Sequence, residues 1–592
     1  MSRRDRLAVR ICGEAQTIPE RCLGKILDFF GIESRVVDAR ALPTIDPSAV
    51  VDGSPYSVLV SAAHVAPLCD AWNGFPPLLR GADSVFVFGF DNSESLRRLL
   101  GRLTGRSSAD CAVGSLSGRG LVVTPESREI GVPLSGLTVA LNAADEAQAF
   151  HGIRGCEGFQ SVIGDGSAEA FFACRHERLQ LFLAASGPAV DIDEPARGNF
   201  FDVRDCFTHI VPLVAYLRRE FPAAFGAPEV LGATLIIDDP SLKRRYGFLD
   251  FEAALAAMKR HDFSTTIAFI PWNWWRTRPR TAALFRSHPE RYSLAIHGCD
   301  HTAREFGTRS AQVLQRKIAL AFERVERHRR KTGLRVSPIM VFPQGVFSAE
   351  AAHSLHRSSF MAAVNTEVHP SEGDGGPRTE VRELWRPAIT KYSGFPIFTR
   401  RYIEHGLENV AFDALLGKPC LLVGHHEVFK DGASSLIEFV DRVNAQIAPA
   451  WSSLENVIRQ SYLARRPADG PRHIEMFANE MILQGQRETP ETVLVTKPSP
   501  AGAIRTVTCA GREVPWEQRS GRVRFVVNVP PASPVLVHVH HDEAETPDLP
   551  PDGLRYRTRV LARRYLSEVR DDYVCRNQYL YDCANRLMRL GK

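Results

Sequence analysis

The residues best suited to chemistry in this 592-residue chain are two histidines four apart, His297 and His301 in HGCDH, and the adjacent pair Asp238-Asp239. Both imidazoles can face one point where a strand turns sharply into a loop or helix. With one carboxylate they make a three-ligand set that leaves a coordination position open for water, as catalytic zinc requires. A second carboxylate beside the ligand can take that water's proton. An apposed histidine, such as His425 or His426 in LLVGHH, can protonate a leaving amine. A bound ion lowers the pKa of its water towards about 7, so hydroxide becomes available at neutral pH. Zinc is the default for one divalent ion in a His2Asp set, with Mn, Fe, Co and Ni admissible by ligand type.

Each of these groups ends an apolar run. Asp238 closes ATLIID (233–238), His297 closes YSLAIH (292–297), Pro343, Gln344 and Gly345 follow SPIMVF, and His425 and His426 end PCLLVGHH (419–426). With TTIAFIP (265–271) and FMAAVN (360–365), these runs alternate with helical patterns such as FLDFEAALAAMKRH (248–261). A further strand is expected through 381–389. Six or seven βα units of this kind fit a closed or nearly closed barrel, whose C-terminal strand ends converge on one mouth.

The motifs IIDDP, HGCDH, FPQG and LLVGHH, in this order and spacing, resemble the NodB-homology polysaccharide deacetylases (carbohydrate esterase family 4), in particular their WbmS-like branch linked to surface-polysaccharide biosynthesis. The resemblance spans about 230–430. It implies a central (β/α)7-type distorted barrel, Asp238 as catalytic base, Asp239, His297 and His301 as metal ligands, and His425 as general acid with His426 as the fallback. Pro343, Gln344, Gly345, Trp272 and His426 are the expected substrate contacts. The family's third motif carries an Arg before its Pro, where this chain has Phe342, and its Asp-Trp motif is missing. Arg386 in LWRPA is assigned the absent guanidinium. The implied activity is hydrolysis of an N-acetyl group on a sugar of a surface polysaccharide or its precursor. The departures motivate two alternatives, a non-catalytic carbohydrate-binding or assembly protein and a glycoside-processing enzyme.

The flanks are of other kinds. Residues 1–195 read as a flavodoxin- or Rossmann-like parallel α/β domain with an α+β appendage from about 118, without a GxGxxG after the first strand. A helical connector is expected over 196–229, the barrel over 230–466, a small antiparallel β-sandwich over 467–545 and a basic helical tail over 546–592. The tail carries an aromatic-aliphatic stripe at Leu561, Tyr565, Val569 and Tyr573. That stripe suits docking on its own domain better than peripheral contact with an anionic membrane. His538 and His540 share one face of a strand, a solvated edge rather than a metal cluster.

A net charge of +5 over this length, without a recognition module, excludes nucleic-acid binding as the main activity. No apolar run reaches a membrane span. Twelve cysteines without a CxxC pair, and a basic N-terminus without an apolar signal core, lead to the expectation of a cytoplasmic protein with buried thiols such as Cys12 and Cys420. Oligomeric state is not written in these features.

Overall fold

The computed structural model describes residues 6–71, 75–116, 120–131, 133–371, 376–467, 470–486, 488–499, 504–531, 533–545, 547 and 552–576. In the first unit, Leu7–Cys12 pairs in parallel with Ser34–Asp38 and Tyr56–Ser61, and Ser84–Phe88 follows in parallel. Helix Ile18–Phe30 makes the first crossover and ends at Gly31, whose φ of +70° is the left-handed cap that glycine adopts without strain. The expected appendage is the same sheet continued. Leu179–Ala184 lies parallel to Ser84–Phe88, and antiparallel strands Glu169–His176, Gln160–Gly164 and Gly120–Val123 extend it.

The expected connector contains helix Phe207–Glu220. It is buried along most of its length and belongs to the core beneath this first sheet. Tyr216 lies 4.8 Å from the Phe86 ring and 5.1 Å from the Phe182 ring, and its hydroxyl is 3.0 Å from Ser84 Oγ.

Seven parallel strands form the body of the ten-stranded central sheet: β1 (Gly232–Asp238), β2 (Thr265–Phe269), β3 (Tyr292–His297), β4 (Ser337–Val341), β5 (Ala362–Asn365), β6 (Ile397–Thr399) and β7 (Cys420–Gly424). Their spatial order is β6-β5-β4-β3-β2-β1-β7. Nearly every residue of these strands is buried, which explains why they read as continuous apolar runs rather than alternating ones.

The expectation of a closed barrel is corrected. β6 pairs with β5 at one edge, whereas Arg401–Tyr402 pairs in parallel with β7 at the opposite edge. The chain changes partner at Arg400, so no continuous ladder closes the ring. Arg400 N–H donates to Asn365 O (3.0 Å), and its side chain turns inward. The strand expected through 381–389 is helix Val381–Trp385 followed by Ala388–Ile389, which runs antiparallel to β6.

Beyond the central sheet, a five-stranded and a four-stranded sheet form the β-sandwich. Leu463–Arg465, inside the expected barrel range, is an edge strand of the larger one. His538 and His540 stack at 3.7 Å on one face, as alternation requires, but their strand Pro534–His541 is paired on both sides and is not the expected sheet edge. Cys12 and Cys420 are buried free thiols. Among the described residues no helix is long and apolar enough to cross a membrane.

Lys497, fully buried in the sandwich, donates to Phe477 O (2.8 Å), and burial pushes its pKa down to about 7. An unfolded lysine titrates near about 10.4, so between these values the unfolded chain binds a proton that the folded chain does not. Stability should therefore rise with pH from about 7 to about 10. Denaturant titrations of Lys497→Met across this range are expected to lack that slope.

Candidate metal centre

Sharp turns at strand ends bring the ligand-type residues together. β1 ends at Asp238, and Asp239 turns the chain with a φ of +76°. β3 ends at His297, and the loop passes through Gly298 (φ +63°) to His301 (φ +57°). A Cβ on Gly298 would lie 2.4 Å from Pro343 Cγ and 2.6 Å from Glu305 Oε2, so no larger residue fits there.

Glu305 organises this loop. Its carboxylate accepts from the backbone N–H groups of Cys299 (3.0 Å), Asp300 (2.9 Å) and His301 (3.0 Å). Asp300 beside it is buried and paired with Lys317 and Arg324. Positive φ at three non-glycine positions near one site, Asp239, His301 and Gln344 (φ +59°), is local strain that the surrounding packing must hold.

Asp239, His297 and His301 offer one ligand atom each, all within 4.8 Å of one another. Both Nε2 atoms point to Asp239 Oδ1, at 3.5 Å for His297 and 2.9 Å for His301. Oδ1 is nevertheless a buried oxygen without a properly oriented hydrogen-bond donor. The His297 Nδ1–H donates to Val341 O (2.9 Å), which leaves its Nε2 lone pair free for a cation.

Burial opposes ionisation of Asp239, but His301 and His297 outweigh it and hold the carboxyl well below its usual range. Burial lowers the pKa of His301 and favours the neutral ring. An ionised carboxylate lacking a donor, faced by two imidazole nitrogens, fits a divalent ion.

Asp238 is buried and held by a guanidinium that the sequence reading missed. Arg400 Nη1 and Nη2 each donate to one carboxylate oxygen at 2.7 Å. Burial works against ionisation of Asp238, yet Arg400 and His297 hold its pKa below the usual value. Arg386, assigned this role from sequence, is elsewhere: it pairs with Glu383 (3.2 Å) and lies over the Phe29 ring. The reason is topological, since Arg400 sits where the chain changes partner between β6 and Arg401–Tyr402.

His425 is half-buried and contributes to the field at Asp238. His426 turns the other way, with its ring 5.7 Å from Tyr246 and 5.8 Å from Phe248. Pro343 and Gly345 are buried under the 297–301 loop, and Gln344 Oε1 accepts from Arg304 N–H (3.3 Å). Trp272 packs at the rim with Arg324 stacked on its ring at 4.7 Å.

The C-terminal helix, Leu554–Val569, lies over this mouth. Arg564 Nη2 donates to His301 Nδ1 (3.3 Å), and Glu568 receives Ser241, Lys243 and Arg276. Just past the helix, Asp571 accepts from Tyr246 Oη (2.5 Å) and lies 3.6 Å from His426 Nε2. The tail's intramolecular docking is thus present over 554–575, while 577–592 lie outside the described residues. Its stripe is only partly used: Leu561 is half-buried, but Tyr565, Val569 and Tyr573 remain outward, with Arg276 over the Tyr565 ring at 4.7 Å.

No family model matches the chain, and no curated protein matches it. Among solved structures it is similar to Agd3, a carbohydrate deacetylase (TM-score 0.47, 10% identity, 90% of this chain and 98% of that one). It is also similar to a family 4 acetyl xylan esterase from Clostridium thermocellum in complex with cobalt (TM-score 0.24, 10% identity, 38% and 90%). A third is a CE4 esterase from Streptococcus mutans (TM-score 0.24, 12% identity, 39% and 89%). These three TM-scores are all below 0.5, and the likenesses carry no function to this chain.

Elemental analysis of the purified protein is expected to find one divalent metal per chain, lost in Asp239→Ala and in His297→Ala. Removing one partner of a buried ion pair costs about 3–5 kcal/mol, so Arg400→Met should destabilise the fold by that order in denaturant titrations. The penalty should shrink in an Asp238→Asn background.

Proposed function

We propose that the chain is a metal-dependent deacetylase of an acetamido sugar in a surface polysaccharide or its precursor, of the NodB-homology type. The observation that carries this reading is the juxtaposition of two carboxylates with different partners. Asp239 is directed at the two imidazoles, and Asp238 is locked to Arg400. One is placed to hold a cation, and the other to handle a proton beside it.

A divalent ion held by Asp239, His297 and His301 would supply Lewis acidity, polarising an acyl oxygen and lowering the pKa of a water. The other residues follow from their own chemistry. Arg400 keeps Asp238 ionised and fixes both its oxygens, each with a lone pair left to accept a proton from the attacking water. His425, close enough to contribute to the field at Asp238, would return a proton to the departing amine. The turn at Pro343–Gly345 borders the same loop, where a backbone N–H near Gln344 can donate to the oxyanion. The products are acetate and a free amino sugar.

Acetate release over a panel of N-acetylated mono- and oligosaccharides tests the reading. Asp238→Asn should keep its metal and lose about 10²-fold or more in turnover, and His425→Ala should fall in the same range. If Asp238→Asn and the metal-depleted Asp239→Ala both released acetate at the native rate from a confirmed substrate, the assignment would fail.

A further inference from the structure

A cavity of about 480 Å3 lies where the first unit, the central sheet and the β-sandwich meet. It shares no lining residue with the metal centre. Its floor is the outward face of the five-stranded sheet. Alternation sends Ile474, Val495, Val523 and Phe525 into the sandwich core and leaves their neighbours facing outward. Register then sets Arg465 beside His473, and Thr496 beside Arg524. The opposite wall comes from the end of helix Ile18–Phe30 and from helix Val381–Trp385, which contribute Phe29, Arg382, Trp385 and Arg386.

Five arginines line this space against two acids, Asp28 and Glu475. Three of the arginines are neutralised: Arg522 by Glu475 (3.1 Å), Arg382 by Asp193 (2.9 Å) and Arg386 by Glu383 (3.2 Å). Among the described residues, Arg465 and Arg524 have no carboxylate at ion-pair distance.

Two buried donors at this cavity also lack an acceptor, Arg465 Nε and the indole Nε1 of Trp385, a residue only 1% exposed. A buried N–H without a partner is left desolvated and uncompensated, and neighbouring guanidiniums repel. Both costs are relieved by an anion with several acceptor oxygens. The volume is in the range of small-molecule pockets, roughly 300–1,000 Å3, and ample for more than a bare phosphate. Phe29, Leu463 and Leu494 give part of the lining an apolar character suited to a ring face.

We propose that this cavity binds a sugar bearing an oxyanion, a phosphate or a carboxylate, with Arg465, Arg524 and the Trp385 indole as its recognising donors. The oxyanion follows from the uncompensated guanidiniums. The choice of a sugar as its carrier rests on the deacetylase reading.

Calorimetric titration of the full chain with glucose 6-phosphate, glucuronate, glucose and inorganic phosphate tests it, the first two separating phosphate from carboxylate. At least one charged sugar should bind, more weakly as salt is raised, and glucose at least ten-fold more weakly. Arg465→Gln/Arg524→Gln should lose at least ten-fold in affinity, and Trp385→Phe several-fold. Should the double variant not fold, Arg524→Gln alone, at an exposed position, is expected to lose several-fold with an unchanged melting temperature. Asp239→Ala should bind as the native chain does, and if the native chain binds a charged sugar here yet releases no acetate from the panel of N-acetylated saccharides, the deacetylase reading fails while this site stands. Equal affinity for glucose, native affinity in the arginine variants, or no binding by either charged sugar would overturn the proposal. Inorganic phosphate binding as tightly as glucose 6-phosphate would overturn its sugar component.

Discussion

One carboxylate oxygen, Oδ1 of Asp239, sets the electrostatic problem that the centre of this molecule solves. It is buried without a hydrogen-bond donor and faces the Nε2 atoms of His297 and His301. The other acids nearby are already matched: Asp238 by Arg400, and Asp300 by Lys317 and Arg324. Negative charge left over in a low-dielectric site must find a cation or be protonated. The two imidazoles hold Asp239 ionised, so the site is built to attract positive charge rather than to neutralise itself.

What was legible in the sequence was what short segments determine. The central strands are buried on both faces, so their composition identifies them without tertiary knowledge, and Asp238, Asp239, His297 and His301 sit at their ends where the chain must turn. Arg400 was not legible, because nothing around FTRRYI distinguishes it from Arg401. Arg401 pairs with Asp413, and Arg400 with Asp238. The difference arises from the partner change between two sheet edges, a property of the assembled ring of strands. Arg386, beside a proline in a suggestive motif, had the better local pattern and the wrong place. Glu305 was hidden for a related reason: its role is to accept three successive backbone N–H groups, and no side-chain motif records that.

Near two of the expected boundaries, a segment serves the neighbouring unit. Helix Phe207–Glu220 was expected to bridge two domains, yet its apolar surface completes the core under the first sheet. Strand Leu463–Arg465 follows the last helix of the central unit and joins the sandwich instead. In both cases the local element was legible and its allegiance was not, since periodicity reports which face is apolar but not what will cover it. The arginine-lined cavity draws on the same two regions, through Phe225, past the end of the helix, at one wall and Arg465 at the floor.

The C-terminal helix ties the remaining charges to the same carboxylate. Arg564 is buried, feels the field of Asp239, and contacts His301 through Nδ1. An arginine can only donate, so this contact requires Nδ1 to be the acceptor and places any ring proton on Nε2. Coordination through Nε2 requires the reverse, with that lone pair free and the proton on Nδ1. The contact with Arg564 and a ligand-ready His301 therefore demand opposite tautomers of one ring. Arg564 also places a positive charge near Asp239. The C-terminal helix thus brings a cation of its own to the ring that faces Asp239.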